Sequence, residues 1–153
     1  MKGKIVCVAI GLISVLVNGL NAQMTKSELQ QMYVTYLKQE GYQPEVDSDG
    51  DVSFKAEGKY FYISVDENDL EVFTIVFPYF WEIESASERR EALSAASNAN
   101  RTTKIAKIYL TGDDDTSIRG QTCLVKPDDF KLFFRRMIDA IMAARRKFID
   151  EML

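Results

Sequence analysis

The stretch 59-KYFYISVDENDLEVFTIVFPYFWEI-83 holds eight of the chain's seventeen aromatic residues. Two runs with period-two alternation flank an acidic break, Asp66-Glu67-Asn68-Asp69. Alternation of this kind predicts paired β-strands, with Phe61 and Ile63 of the first run and Phe73, Ile75 and Phe77 of the second on one face. The opposite face then carries Tyr60, Tyr62, Thr74 and Val76. A sheet with one solvated face normally places polar side chains there. The stretch therefore predicts a sheet that is apolar on its core side and unusually aromatic on its outer side.

Working upstream, "VSFKAE" (52–57) is a further strand and "PEV" (44–46) a shorter one. A two-residue Gly58-Lys59 turn pairs Ala56 with Phe61, Phe54 with Ile63 and Val52 with Val65. A three-residue Ser48-Asp49-Gly50 turn, with glycine left-handed, sets Val46 opposite Val52 and keeps both on the core face. In the same register Tyr62 faces Thr74 and Tyr60 faces Val76. Thr25-Lys26-Ser27-Glu28 is a capping box that opens a helix over about residues 26–40, closed by Gly41.

Downstream, Pro78 is expected to end the aromatic strand, leaving Tyr79, Phe80 and Trp81 as a connector. Ser85-Ala86-Ser87-Glu88 is a second capping box, for a helix to about Arg101 with a small-residue face of Ala92, Leu93, Ala96 and Ala99. Residues 104–111 and 118–125 are two more strands. Pro127-Asp128-Asp129 opens a last helix, striped with Phe130, Phe133, Met137, Ile138, Ile141, Ala144, Phe148 and Met152. The order α-β-β-β-β-α-β-β-α predicts an α+β domain, an antiparallel sheet with helices on one face.

The 153-residue chain starts "MKGKIVCVAIGLISVLVNGLNAQ". Two lysines, thirteen mostly apolar residues from Ile5 to Val17 and the small residue Ala22 form the pattern of a secretory signal peptide, residues 1–22. The apolar run is shorter than the ~18 residues that would suggest a membrane span. The expectation is a cleaved signal, a periplasmic or secreted single domain over residues 23–153, and contact with the membrane only before cleavage. Loss of Lys2 and Lys4 would take the net charge of −4 down by two, to −6. An acidic domain of this kind offers no basic face for nucleic acid. Cys123 would be left without an internal partner.

The chain has no histidine. The commonest general base, the commonest zinc ligand and every Ser-His or Cys-His pair are thereby excluded. No enzyme activity and no cofactor are expected. Asp47, Asp49 and Asp51 begin like a calcium loop, but glycine falls fourth and Gly58 takes the twelfth place, so a hairpin turn is favoured over a weak calcium site. Asp113-Asp114-Asp115 likewise suits a solvated turn. Glu82 and Glu84 are too ordinary a pair to argue sugar hydrolysis. Cys123, beside Leu124 and Val125, is expected as a small buried strand residue. The pairs Arg89-Arg90, Arg135-Arg136 and Arg145-Arg146 fall on polar helix faces. The group with the strongest claim to a partner surface is Tyr60, Tyr62, Val76 and Tyr109 on the outer face of the sheet.

Three phrases carry a family resemblance: "DSDGDVSFKAEGKYFYISVDENDLEVFTIVFPYFWEIE" (47–84), "EALSAASNANRTTKIAKIYL" (91–110) and "PDDFKLFFRRMIDAIMAARRKF" (127–148). With their short hairpin, helix-to-strand passage and closing helix they resemble the bacterial YbjN-domain family of sensory-transduction regulators, over about Thr25 to Met152. The resemblance implies a fold like the type III secretion chaperones, which dimerise and hold extended segments of their clients, and it implies no catalytic residues. Those chaperones are cytoplasmic, whereas this chain carries an export pattern, so only the binding mode would transfer. The expected function is an exported, non-enzymatic binding or chaperone-like module that meets a protein, a peptide or a second copy of itself through the sheet. The alternative is a periplasmic small-ligand or cation-binding protein that uses the acidic turns.

Overall fold

The computed structural model describes residues 24–112 and 115–153. The predicted signal segment, Asp113 and Asp114 lie outside these residues. Helix α1 (Lys26–Gln39) is followed by β1 (Glu45–Val46), β2 (Val52–Ala56), β3 (Lys59–Ile63) and β4 (Val72–Glu82). Helix α2 (Ala86–Thr102), β5 (Ala106–Leu110), β6 (Asp115–Cys123), a 3₁₀ turn over Pro127–Asp129 and α3 (Phe130–Met152) complete the order. The α+β order matches the sequence expectation. The strands form one antiparallel sheet ordered β1-β2-β3-β4-β6-β5.

One face of this sheet is the core. Phe54, Phe61, Ile63, Phe73, Ile75, Ile108 and Ile118 are buried there with Leu29, Tyr33 and Leu37 of α1 and the apolar stripe of α3. Rings interlock across the layers. Phe54 lies 5.7 Å from Phe61 and 5.6 Å from Phe134, and Tyr33 meets Phe130 edge-on at 4.9 Å. Gly120 lets α3 settle onto the sheet, because a Cβ there would sit 2.5 Å from Met137 Sδ. Helix α2 approaches closely through Ala92, Ala95, Ala96 and Ala99. Leu93, expected on that face, is 51% exposed and is replaced by Ala95. In α3, Phe134 rather than Phe133 is the fully buried ring.

The register differs from expectation by two residues in two hairpins. The β2–β3 turn is Glu57-Gly58, with φ of 52° and 74°, so Ala56 pairs with Lys59, Phe54 with Phe61 and Val52 with Ile63. Two consecutive left-handed residues suit the right-handed twist of a two-residue hairpin, and this geometry prevails although the first of them is not glycine. Between β3 and β4, Tyr62 pairs with Val76 and Ile63 with Ile75, so Tyr62 does not face Thr74. A shift of two residues preserves which face each side chain occupies. The β1–β2 register, Val46 opposite Val52, is as expected, with Gly50 at φ 88°.

Pro78 does not end β4. The strand continues to Glu82 through a bulge between Phe77 and Trp81, where Tyr79 takes φ 50° and its N–H reaches Ser117 Oγ at 3.3 Å. A proline is tolerated here because pairing is already interrupted and no ladder donor is needed. Beyond the bulge Phe80 and Trp81 return to the core and pack on Phe148 at 5.2 and 5.8 Å. The second capping box is altered in the same region. Ser85 accepts from Glu88 N–H, but the Glu88 carboxylate takes Trp81 Nε1–H and Glu84 N–H instead of the cap residue's own amide. Those bonds hold the Glu88 carboxyl below its ordinary range.

Candidate functional site

The acidic turn between β1 and β2 is held from within. Asp47 Oδ1 accepts the N–H groups of Asp49 and Asp51, each at 3.0 Å, and Asp51 Oδ1 accepts Val65 N–H at 2.8 Å. Helix α1 grips the same turn, with Lys26 Nζ donating to Asp49 O and Gln30 Nε2 to Gly50 O. Burial raises the Asp51 carboxyl above its ordinary range, against the Val65 hydrogen bond, and the neighbouring Asp47 charge adds to the rise. The carboxylates thus hold backbone amides of the hairpin. Among the described residues no group of three or more His, Cys, Asp or Glu is placed to hold a metal ion. The second acidic segment lies near the outer face, where Asp66 and Asp69 line a polar cleft with Arg119.

The structure brings the four outer-face candidates onto one surface but gives them unequal access. A row runs across the sheet from Ser53 through Tyr62, Val76 and Arg119 to Lys107. Val76 lies on this face as expected, yet it is 1% exposed, so it forms the floor. Tyr62 and Tyr109 are half-buried, and the Arg119 guanidinium stands 5.5 Å over the Tyr109 ring. Burial pushes the Tyr62 hydroxyl up to about 12, and the nearby Tyr109 adds to the rise. Tyr60 is 42% exposed and is the open member of the four. Cys123, expected buried, is exposed with a free thiol at the end of β6.

Tyr60 also borders a cleft of about 410 Å³, lined with Gly41, Tyr42, Gln43, Glu45, Phe54 and Lys55. This cleft lies along the outer edge of β2. Strand β1 pairs only with Val52 and Ser53. Asp47 N–H bonds Asp51 O, so by antiparallel alternation Ser53 turns its N–H and C=O toward β1. Lys55, two residues on, turns its pair in the same direction, where no strand lies among the described residues. Sequence reasoning did not single out this edge. The signal available was Pro44 directly before a two-residue strand, which marks a partner strand that stops early.

At the far edge β5 is sealed. Asn100 Nδ2 donates to Ile108 O at 2.9 Å and Asn100 Oδ1 accepts Ile108 N–H at 2.8 Å, so one side chain replaces a neighbouring strand. Thr103 Oγ1 donates to Ala106 O at 2.8 Å. Lys107 Nζ returns across the edge to the Asn100 and Thr103 carbonyls at the end of α2.

The YbjN family model, described as "Putative bacterial sensory transduction regulator", matches residues 34–150. The chain belongs to the YbjN family. The match takes in the whole sheet, α2, nearly all of α3 and the Asn100 seal, so these features lie inside the family domain. No curated protein matches the chain. No helix among the described residues is long and apolar enough to cross a membrane.

Proposed function

We propose that this YbjN domain is an exported, non-enzymatic binding module that takes up an extended segment of another protein at its β2 edge. The observation that carries the reading is the unpaired Lys55 backbone beside a cleft bordered by Tyr60. Main-chain pairing would supply affinity, and the side chains around the cleft would supply selectivity. Tyr60 suits the task because a tyrosine offers a large apolar body and a hydroxyl that tolerates water. Export rests on the lysine start and the apolar run of residues 5–17.

The binding test uses the processed chain as bait on the native envelope. Amide exchange is then measured on the recovered complex. The expected result is slowed exchange at Lys55 N–H, with exchange at Ile108 N–H unchanged because Asn100 already protects it. Replacing Tyr60 and Tyr62 together by serine should leave the circular dichroism intact and weaken capture by at least about 2 kcal/mol, the usual size of a hot-spot effect. Unchanged exchange at Lys55 in a complex that forms would defeat the edge mode. Mass spectrometry of the protein from its own cell should find Gln23 at the N-terminus, and an intact residue 1 would defeat export.

A further inference from the structure

A second groove lies on the helical side of the domain, away from the β2 edge. Arg136, Ala140, Ala143 and Lys147 form one stripe of α3, and the link between α2 and β5 supplies the facing wall with Lys104 and Ile105. The groove measures about 260 Å³. Its floor is Ile105, Ala140 and Ala143. Among the lining residues are three cations and no carboxylate, in a chain with 23 acidic and 19 basic residues. Lys104 and Arg136 have no carboxylate partner among the described residues. Lys147 is tethered, with Nζ donating to Thr102 O at 3.1 Å and to Thr102 Oγ1 at 2.8 Å.

We propose that this groove binds a medium-chain fatty acid, with its carboxylate between Lys104 and Arg136 and its acyl chain over Ile105, Ala140 and Ala143. Three observations select this ligand. The charge is complementary at one end only: Lys147 is held by the end of α2, and the neighbouring cleft beyond it contains Asp150 and Glu151. A carboxylate is therefore attracted to the Lys104–Arg136 end, and the Lys147 methylenes extend the apolar wall at the other.

The Thr102 and Thr103 groups of the facing wall already have partners. Thr102 O and Thr103 O accept from Lys147 and Lys107, and the Thr103 hydroxyl donates to Ala106 O. A peptide laid here would lose water from its own N–H and C=O groups and gain few partners, whereas an acyl chain has none to satisfy. The size also fits. At about 30 Å³ for each water-sized group, 260 Å³ corresponds to about nine such groups, the scale of a medium-length acyl chain.

The test is calorimetric titration of the purified chain with decanoate below its micellar range, with decanol as the neutral control. One decanoate should bind per chain, at least about tenfold more tightly than decanol, because the ionic head makes charge-assisted hydrogen bonds that the alcohol lacks. Replacing Lys104 and Arg136 together by alanine should weaken decanoate at least about tenfold and leave decanol unchanged. Ala143→Leu should fill the floor and abolish binding of both ligands, while Lys131→Ala, outside the groove, changes neither. Circular dichroism verifies folding, and the two surface cations provide a readout that does not depend on the Ala143 variant. Absence of saturable binding overturns the proposal. So does decanol binding as well as decanoate, uptake of several decanoates per chain, or indifference to the Lys104–Arg136 pair. Capture of acidic peptides at these cations without decanoate binding also overturns it.

Discussion

The two edges of the sheet are finished by different means. At β5 a side-chain amide from α2 occupies both main-chain groups of Ile108, and the Thr103 hydroxyl takes the carbonyl of Ala106. At β2 the partner strand begins only at Glu45, opposite Ser53, and Lys55 lies beyond that end. An edge closed by hydrogen bonds is closed to every partner. An edge guarded by a charge is closed selectively, because lysine opposes pairing with an identical edge and admits a strand that brings a carboxylate. The difference leaves β2 as the end with main-chain groups open to pairing.

The largest expected effect lies beneath the open edge. Phe54 is buried among Tyr42, Phe61 and Phe134, at ring distances of 5.4, 5.7 and 5.6 Å. Phe54→Ala should cost about 3–5 kcal/mol, the usual range for a buried phenylalanine. Urea melts measure it. A loss within that of a surface substitution would mean that β2 is not anchored from below, and the contrast between the two edges would fail at its foundation.

Next in size is the seal itself. Asn100→Ala leaves the N–H and C=O of buried Ile108 without partners. At about 1–3 kcal/mol for each unsatisfied group the two set a ceiling of about 6, and partial rehydration at the sheet edge brings the expected loss to about 2–4 kcal/mol. Asn100→Asp keeps the acceptor and loses the donor, so it should fall between the two. The same melts, with light scattering, should show the alanine variant both less stable and more prone to associate. Equal stability of all three chains would show that the Asn100 bonds do not close β5.

Much of this architecture could be read from residue order. Alternation in residues 59–83 assigned Phe61, Ile63, Phe73, Ile75 and Phe77 to the core, and that assignment survives the two-residue errors in register because side-chain parity repeats every two residues. Turn chemistry was less legible. Glu57 is an unusual residue for a left-handed position, so glycine-first was the natural reading and Glu57-Gly58 the actual one. Pro78 reads as a strand end in the sequence, since the bulge that accommodates it depends on a bond from Tyr79 to Ser117, thirty-eight residues further on. Burial of Val76 was hidden for a similar reason. Its cover comes from Tyr62 and Arg119 on the two neighbouring strands, a relation fixed only once β4 pairs with β6. The open edge itself is the absence of a neighbour beside Lys55, and strand pattern alone does not say where a neighbour stops.

A smaller effect is expected where β2 begins. Asp51 accepts Val65 N–H, and its carboxyl is raised chiefly by burial. Asp51→Ala removes the acceptor and should cost about 1–3 kcal/mol. Asp51→Asn keeps an oxygen in place and removes the charge. A carboxyl raised by folding penalises the folded state when it is ionised, and the penalty disappears as pH falls through the raised value. The asparagine variant should therefore equal or exceed the parent in stability at pH 7, and its advantage should shrink as pH is lowered. A widening advantage on acidification would reverse the sign of the Asp51 contribution.

The smallest effect on stability should accompany the clearest change in behaviour. Lys55 is exposed on the outer face and forms no ion pair among the described residues, so Lys55→Val should alter stability by less than about 0.5 kcal/mol, as ordinary surface changes do. Valine is a good strand former, and it removes the charge that would face its own copy if two β2 edges met. Sedimentation should then show self-association that grows with concentration in the valine variant and is weaker in the parent. Lys55→Glu separates charge from strand preference. It keeps the repulsion between identical edges, so it should stay as dispersed as the parent, while reversing the attraction for a carboxylate-bearing strand. Combining Lys55→Val with Asn100→Ala should open both ends of the sheet and permit head-to-tail growth. If Lys55→Val remains as dispersed as the parent at every concentration, the β2 edge is closed by something other than charge, and its contrast with β5 disappears.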